Sequence, residues 1–373
     1  LIKFRVTEIL LISTAYDGFV LEEDGQLTEQ IYNQFADLSI PYIPRIHRVS
    51  RQDEALDVLA NRTVHLIITM SRISDMESFV LEKSINEAYP AIPIVMLSYD
   101  RLTPEMIVQI RQNSCINRVF HWSGDSKILL AIIKYVEDHY NVEADSRQGV
   151  QAILLVEDSP IYYSRILPII YTEILTQTRY LVQHAMNMSH GLLRVRLRPK
   201  ILLAETYEEA MEIIHRYRYN LLGVISDVRF PKAGQLDPAA GFELAQRVRD
   251  MITDFPFLLQ SEETDNAAKA LALKVHFLNK NSPNLLHELR TFILENYGFG
   301  SFVFKYPDGR VIGEATDITN LERIVRDDRG LGMPRLEPRD HRGRVGHPET
   351  AGQLDGRHLR RTPPAPHDAS ARP

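Results

Sequence analysis

Residues 152–158 read Ala152-Ile-Leu-Leu-Val-Glu-Asp158, and residues 221–227 read Leu221-Leu-Gly-Val-Ile-Ser-Asp227. Each is a short, continuous apolar run that ends in acid. A run without alternation fits a strand buried on both faces, as in a parallel sheet covered by helices. Amphipathic stretches of helical length separate it from similar runs at Lys200–Ala204, Phe257–Gln260 and Val275–Leu278. The first half carries its own series, at Glu8–Ser13, a poorer run at Ile43–Val49, then His65–Thr69, Ile94–Ser98 and Arg118–Phe120. The class is α/β, with five strands expected in each half.

The two series repeat at roughly 150 residues, the size of a duplicated domain rather than of a solenoid unit. Asp53-Glu-Ala-Leu-Asp-Val-Leu59 matches Glu208-Glu-Ala-Met-Glu-Ile-Ile214, and the helix opening at Ser126 matches the one opening at Ser282. The boundaries expected are 1–142 for the first domain, 150–297 for the second, 298–325 for a hairpin and helix, and 326–373 for a tail. Glu143–Gly149, polar and without periodicity, reads as the linker. The second copy has an enlarged first connection, Pro160–Arg198, whose helix is expected to start at Pro160 and to kink at Pro168. Asp308-Gly309 between apolar segments predicts a hairpin, with a helix over Asp317–Val325. From Arg326 onward Arg, Pro, Gly and His dominate, so this tail is expected to be disordered. Its abrupt change of composition reads as out-of-frame translation, and Leu1 in place of Met as a truncated or misassigned start.

The composition narrows the function classes. The chain has 373 residues, 44% hydrophobic and 25% charged, and a net charge of −6. A negative balance gives no field to hold a nucleic acid or an anionic membrane, so neither partner is expected. One cysteine, Cys115, excludes a disulfide framework and a zinc cluster and fits a cytoplasmic location. Cys115 and Trp122 read as packing residues. Arg194, Arg196, Arg198 and Lys200 alternate before a strand and read as one solvated edge.

Doubly wound sheets place ligands at the carboxyl ends of their strands. In the second copy those ends carry Glu157-Asp158, Asp227, Ser261 and Lys280. Three acids converging on one rim call for a hard cation, and carboxylates suit Mg²⁺. With its charge screened, one carboxylate can attack a phosphoryl group while Lys280 and the Ser261 hydroxyl hold the transferred oxygens.

The motifs Leu154-Leu-Val-Glu-Asp-Ser159, Ile225-Ser-Asp-Val-Arg-Phe-Pro231, Leu258-Leu-Gln-Ser261 and Phe277-Leu-Asn-Lys280 resemble those of response-regulator receiver domains. That resemblance implies two tandem flavodoxin-like sheets. It also implies that Asp227 is the phosphoacceptor, that Glu157 and Asp158 hold Mg²⁺ with the backbone carbonyl of Arg229, that Ser261 and Lys280 grip the phosphoryl group, and that Phe277 is the switch aromatic. A sensor histidine kinase or phosphotransfer protein would be the donor, and a second copy of the chain a further partner. The sequence departs from the family at Asn281, where proline usually follows the lysine, and at Glu262, where a small residue is usual. Arg229 and Glu263 flank the pocket and read either as a pair across it or as two exposed charges.

The first copy keeps the frame and loses the chemistry. Ser13-Thr14 stand in place of the acids, Met70 in place of the acceptor and Gly124 in place of the lysine, with Ser98 kept. It resembles a pseudo-receiver, and a fragment ending near Gly149 is expected to fold without responding to Mg²⁺ and acetyl phosphate. Asp17, Glu22, Glu23 and Asp24 read as a solvated loop, His184 and His190 as surface residues. Over roughly Ile9–Ile324 the chain also resembles the N-terminal region of bacterial proteins related to phosphoenolpyruvate synthase. Two further readings stay open: the regulatory front of such an enzyme without its catalytic part, and an interaction module in which neither half is phosphorylated.

Overall fold

The computed structural model describes residues 3–19, 27–38, 40, 42–70, 76–99, 102–113, 115–183, 198–252, 255–297, 302–305 and 311–315. By backbone contacts the chain divides into two units, Leu1–Arg290 and Thr291–Pro373. The first unit holds two parallel five-stranded sheets.

In the first sheet the strands are β1 (Glu8–Ile12), β2 (Arg45–Val49), β3 (Leu66–Thr69), β4 (Ile94–Ser98) and β5 (Arg118–His121), in the order β2-β1-β3-β4-β5. Their helices are α1 (Ala15–Phe19), α2 (Leu27–Asp37), α3 (Gln52–Asn61), α4 (Met76–Ala88), α5 (Pro104–Asn113) and α6 (Lys127–Ser146). In the second sheet β6 (Ala152–Val156), β7 (Lys200–Ala204), β8 (Leu221–Asp227), β11 (Phe257–Ser261) and β12 (His276–Asn279) run in the order β12-β11-β8-β6-β7. Counted within each half, both orders are 2-1-3-4-5, the doubly wound, flavodoxin-like arrangement with its crevice beside the first and third strands. The second half's helices are α7 (Pro160–Gln183), α8 (Tyr207–Tyr217), α9 (Ala240–Met251), α10 (Asn266–Ala272) and α11 (Leu285–Asn296).

The apolar runs decide this outcome. All residues of β4, β6, β7 and β11 are buried, as strands covered on both faces must be. α8 starts where Thr206 caps it, accepting from the Glu209 amide at 3.2 Å. The Glu209 carboxylate reaches back to the Glu205 amide at 2.8 Å, so this helix start satisfies its own amides.

Several local expectations change. The segment Glu143–Gly149 is helical through Ser146, because α6 continues past the linker reading and buries Val142 and Asp145. Between β8 and α9 the chain inserts a small antiparallel hairpin, β9 (Phe230–Lys232) and β10 (Gln235–Asp237), with Ala233 and Gly234 both at positive φ in its turn. Arg198 and Lys200 are buried, not a solvated edge. Arg198 donates to both Asp138 oxygens at 2.6 and 3.0 Å, and Lys200 pairs with Asp145 at 2.9 Å. α7 does start at Pro160 and carries Pro168 inside it. In the second unit, β13 (Phe302–Lys305) and β14 (Val311–Ala315) pair antiparallel, as the hairpin reading requires. The turn at Asp308-Gly309, the helix over 317–325, the tail 326–373, Glu22, Glu23, Asp24, His184, His190, Arg194 and Arg196 lie outside the described residues. Among the described residues no helix is long and apolar enough to cross a membrane.

Candidate functional site

Strand register brings the second sheet's chemistry to one rim. Val156 pairs with Ser226, Asp227 with Gln260 and Ser261 with Asn279. The amides of Glu157 and Lys280 then extend the ladder to Ala204 and Ser261 carbonyls at 2.9 Å each. Glu157 and Asp158 therefore follow β6 and Asp227 ends the adjacent β8, while Lys280 follows β12, with Ser261 at the end of β11 between them.

Glu157, Asp158 and Asp227 each offer a carboxylate oxygen, all within 4.8 Å of one another. Lys280 lies among them, with its ammonium 2.6 Å from Glu157 and 3.0 Å from Asp227. The lysine side chain is 3% exposed and Asp227 14%, so the acceptor candidate keeps an opening that the lysine lacks. The second Asp227 oxygen accepts from the Val228 amide at 2.8 Å, which orients the carboxylate.

One lysine against three carboxylates leaves surplus negative charge. Burial pushes the Glu157 carboxyl well up, Lys280 opposes this and Asp227 adds to it. Asp158 is pushed up to about 6, first by burial and then by the Asp227 charge. Burial works against the Lys280 charge, but Glu157 and Asp227 outweigh it and hold the ammonium above its ordinary range. An all-oxygen set of three carboxylates with a charge surplus fits a hard divalent cation such as Mg²⁺. Glu157, Asp158 and Asp227 would hold it.

Ser261 is buried, and its Oγ accepts from Asn266 Nδ2 at 2.9 Å and the Glu263 amide at 3.1 Å. Phe277 is half-buried and packs against the apolar core under the same sheet. Arg229 is exposed in the two-residue connection between β8 and β9. Glu263 is exposed and accepts from Asn266 rather than reaching across the pocket. After Lys280 the turn closes on Asn279, whose side chain accepts from the Asn281 amide at 2.8 Å.

Sequence reasoning missed two residues here. Tyr162, in the first turn of α7, lays its ring 4.2 Å from the Lys280 ammonium and donates its hydroxyl to Glu262. Gly241, at the start of α9, lets that helix approach the Asp227 carbonyl so closely that a Cβ would lie 2.2 Å from it. A glycine at a helix start and a tyrosine four residues past an acid carry no spacing signal of their own.

In the first half, backbone bonds identify the equivalent positions. The Ser13 amide bonds to Val49 as Glu157 does to Ala204, and the Met70 amide bonds to Ile12 at the third strand's end. The Trp122 amide bonds to Ser98 as Lys280 does to Ser261, so Trp122, not Gly124, occupies the lysine position. Trp122 is buried and meets Tyr99 edge to face. Asp17 is buried and accepts from the Thr14 hydroxyl at 2.6 Å, a local cap rather than part of a solvated loop.

No family model matches the chain, and no curated protein matches it. Among solved structures it is similar to a signal receiver domain of an HD domain-containing protein from Pseudomonas fluorescens Pf-5. That match is 24% identical, covers 37% of this chain and 99% of the other, and has a TM-score of 0.29. A putative two-component system response regulator/GGDEF domain protein is 14% identical over 76% of this chain and 96% of its own, with a TM-score of 0.31. The fold rests on strand order and register rather than on these likenesses.

Proposed function

We propose that the second half is a phosphoryl-accepting receiver in which Asp227 takes a phosphoryl group from a phosphohistidine donor, a sensor kinase or phosphotransfer protein. The observation that carries this reading is the grouping of Glu157, Asp158, Asp227 and Lys280 on one rim of a 2-1-3-4-5 sheet, with Ser261 on the neighbouring strand.

The Asp227 carboxylate is the nucleophile, oriented by the Val228 amide at 2.8 Å and faced by Lys280 at 3.0 Å. As its oxygen bonds to phosphorus, the donor's N–P bond breaks and the imidazole leaves with the electron pair, taking a proton from solvent. Bound Mg²⁺ would supply charge neutralisation between acceptor and incoming phosphoryl group. Lys280, already 3.0 Å from Asp227, moves its hydrogen bond onto a phosphoryl oxygen. The Ser261 hydroxyl donates to a second one, and its shift changes the space beside Phe277 on the adjoining strand, which couples the charge to packing.

Intact-mass measurement after acetyl phosphate treatment, with and without Mg²⁺, tests the reading. Wild type should gain one phosphoryl group in the presence of Mg²⁺, Asp227→Asn none, and Asp158→Ala should bind Mg²⁺ more weakly. Equal labelling of Asp227→Asn and wild type would overturn the acceptor assignment.

A further inference from the structure

We propose that Tyr162 and Glu262 form a strap across the mouth of the acidic pocket and set how fast a small molecule reaches it. For phosphoryl donors this rests on the reading of Asp227 above; for access itself it does not.

The strap joins two separate connections over one buried cation. Tyr162 comes from the turn after β6 and Glu262 from the turn after β11, and the tyrosine hydroxyl donates to the Glu262 carboxylate. Under the ring lies the Lys280 ammonium, 4.2 Å from its centroid. A cation over an aromatic face is attracted to it, so the ring has an anchor beneath as well as at its tip. Glu262 is itself exposed, which places the bond at the pocket's rim rather than in its floor.

The next two residues fix the strap from behind. Tyr163 donates its hydroxyl to the Val119 carbonyl, and Ser164 accepts from the His121 amide at 2.9 Å, both on edge strand β5 of the first sheet. With this turn of α7 held to β5 at two points, a shift of the helix that freed Tyr162 would have to break both bonds. Opening requires rotation of its own side chain or release of Glu262. By the same geometry the degenerate first half holds in place the element that carries the strap.

Three variants of the full chain separate the strap from its charge. Tyr162→Phe keeps the ring and loses the bond, Glu262→Ala removes the partner, and Glu262→Gln keeps an acceptor of the same reach without charge. Two rates are read: phosphorylation by acetyl phosphate, and acylation of Lys280 by a neutral succinimidyl ester, followed by peptide mass. Tyr162→Phe and Glu262→Ala should accelerate both up to about tenfold, the factor a single hydrogen bond is worth. Glu262→Gln should stay closest to wild type. Unchanged Lys280 acylation in both opening variants overturns the strap, and so does acceleration by Glu262→Gln equal to that by Glu262→Ala, which would assign the effect to charge. If no protein is phosphorylated, the Asp227 reading falls, and Lys280 acylation still decides the strap.

Discussion

A methyl group on Gly241 would lie 2.2 Å from the Asp227 carbonyl oxygen and 2.8 Å from Val228 Cα, both backbone atoms that cannot swing aside. The Gly241 amide meanwhile donates to the Val228 carbonyl at 2.9 Å, tying α9 to the residue that follows Asp227. Gly241→Ala should therefore cost about 1–3 kcal/mol in urea unfolding, the range for overpacking a tight contact, and slow labelling of Asp227 as well. Normal labelling with normal stability would show that the loop has slack. Asp138 makes a different single-residue case. It is wholly buried and holds Arg198, which is nearly so. Burial opposes its charge, but Arg198 and Lys200 outweigh burial and keep the carboxyl below its ordinary value. Its stabilisation is thus complete above the unfolded-state value near ~4 and is lost as pH falls through the lower folded-state value. Asp138→Ala should remove about 3–5 kcal/mol at neutral pH, because Arg198 would remain buried without its partner. Asp138→Asn should also flatten the loss of stability on acidification. An acid slope equal to wild type would mean that other carboxylates govern it.

At the scale of elements, the strands were legible because a run buried on both faces must be apolar, and each of the ten runs became a strand within about two residues of its expected ends. The rim residues were legible for a related reason, since a strand's carboxyl end is where a doubly wound sheet exposes side chains to a ligand. The hairpin of β9 and β10 was not, because three-residue strands with Phe230 their one buried side chain leave no period to read. Trp122 reads as a bystander in the sequence because two residues of offset in a turn do not change composition, and only the bond to Ser98 fixes the register. The edge of β5 is equally silent. Its backbone groups at Val119 and His121 are taken by side chains of α7, which keeps the edge from pairing with another chain. Ser164→Ala should leave the His121 amide without its acceptor, raising its hydrogen exchange and costing about 1–3 kcal/mol if no water replaces the serine. Exchange at His121 as slow as in wild type would show that the contact does not hold the edge.

Over residues 1–290 as a whole, the two sheets are joined by charges that neither can bury alone. α6 belongs by sequence to the first sheet, yet Asp138 and Asp145 on it hold Arg198 and Lys200 beside β7 of the second. Arg118 on β5 reaches Glu205, just past β7, and Glu209 in the first turn of α8, again across the junction. The repeated strand order was readable because both halves carry the same series of apolar runs. The junction was not, because alternating charges ahead of a strand look alike whether solvated or paired, and Asp138 lies 60 residues from Arg198. Cutting the chain after Gly149 would strand Asp138 and Asp145 on one side and Arg198 and Lys200 on the other, each pair uncompensated until water reached it. That cost argues against the expectation that the first half folds by itself. The intact chain should show one cooperative transition covering both sheets, while fragment 1–149 alone should be strongly destabilised and fragment 150–290 should lose protection along β7. Two separate thermal transitions in the intact chain, with fragment 1–149 melting at the temperature of the first, would show that the ion pairs only decorate a junction between independent domains.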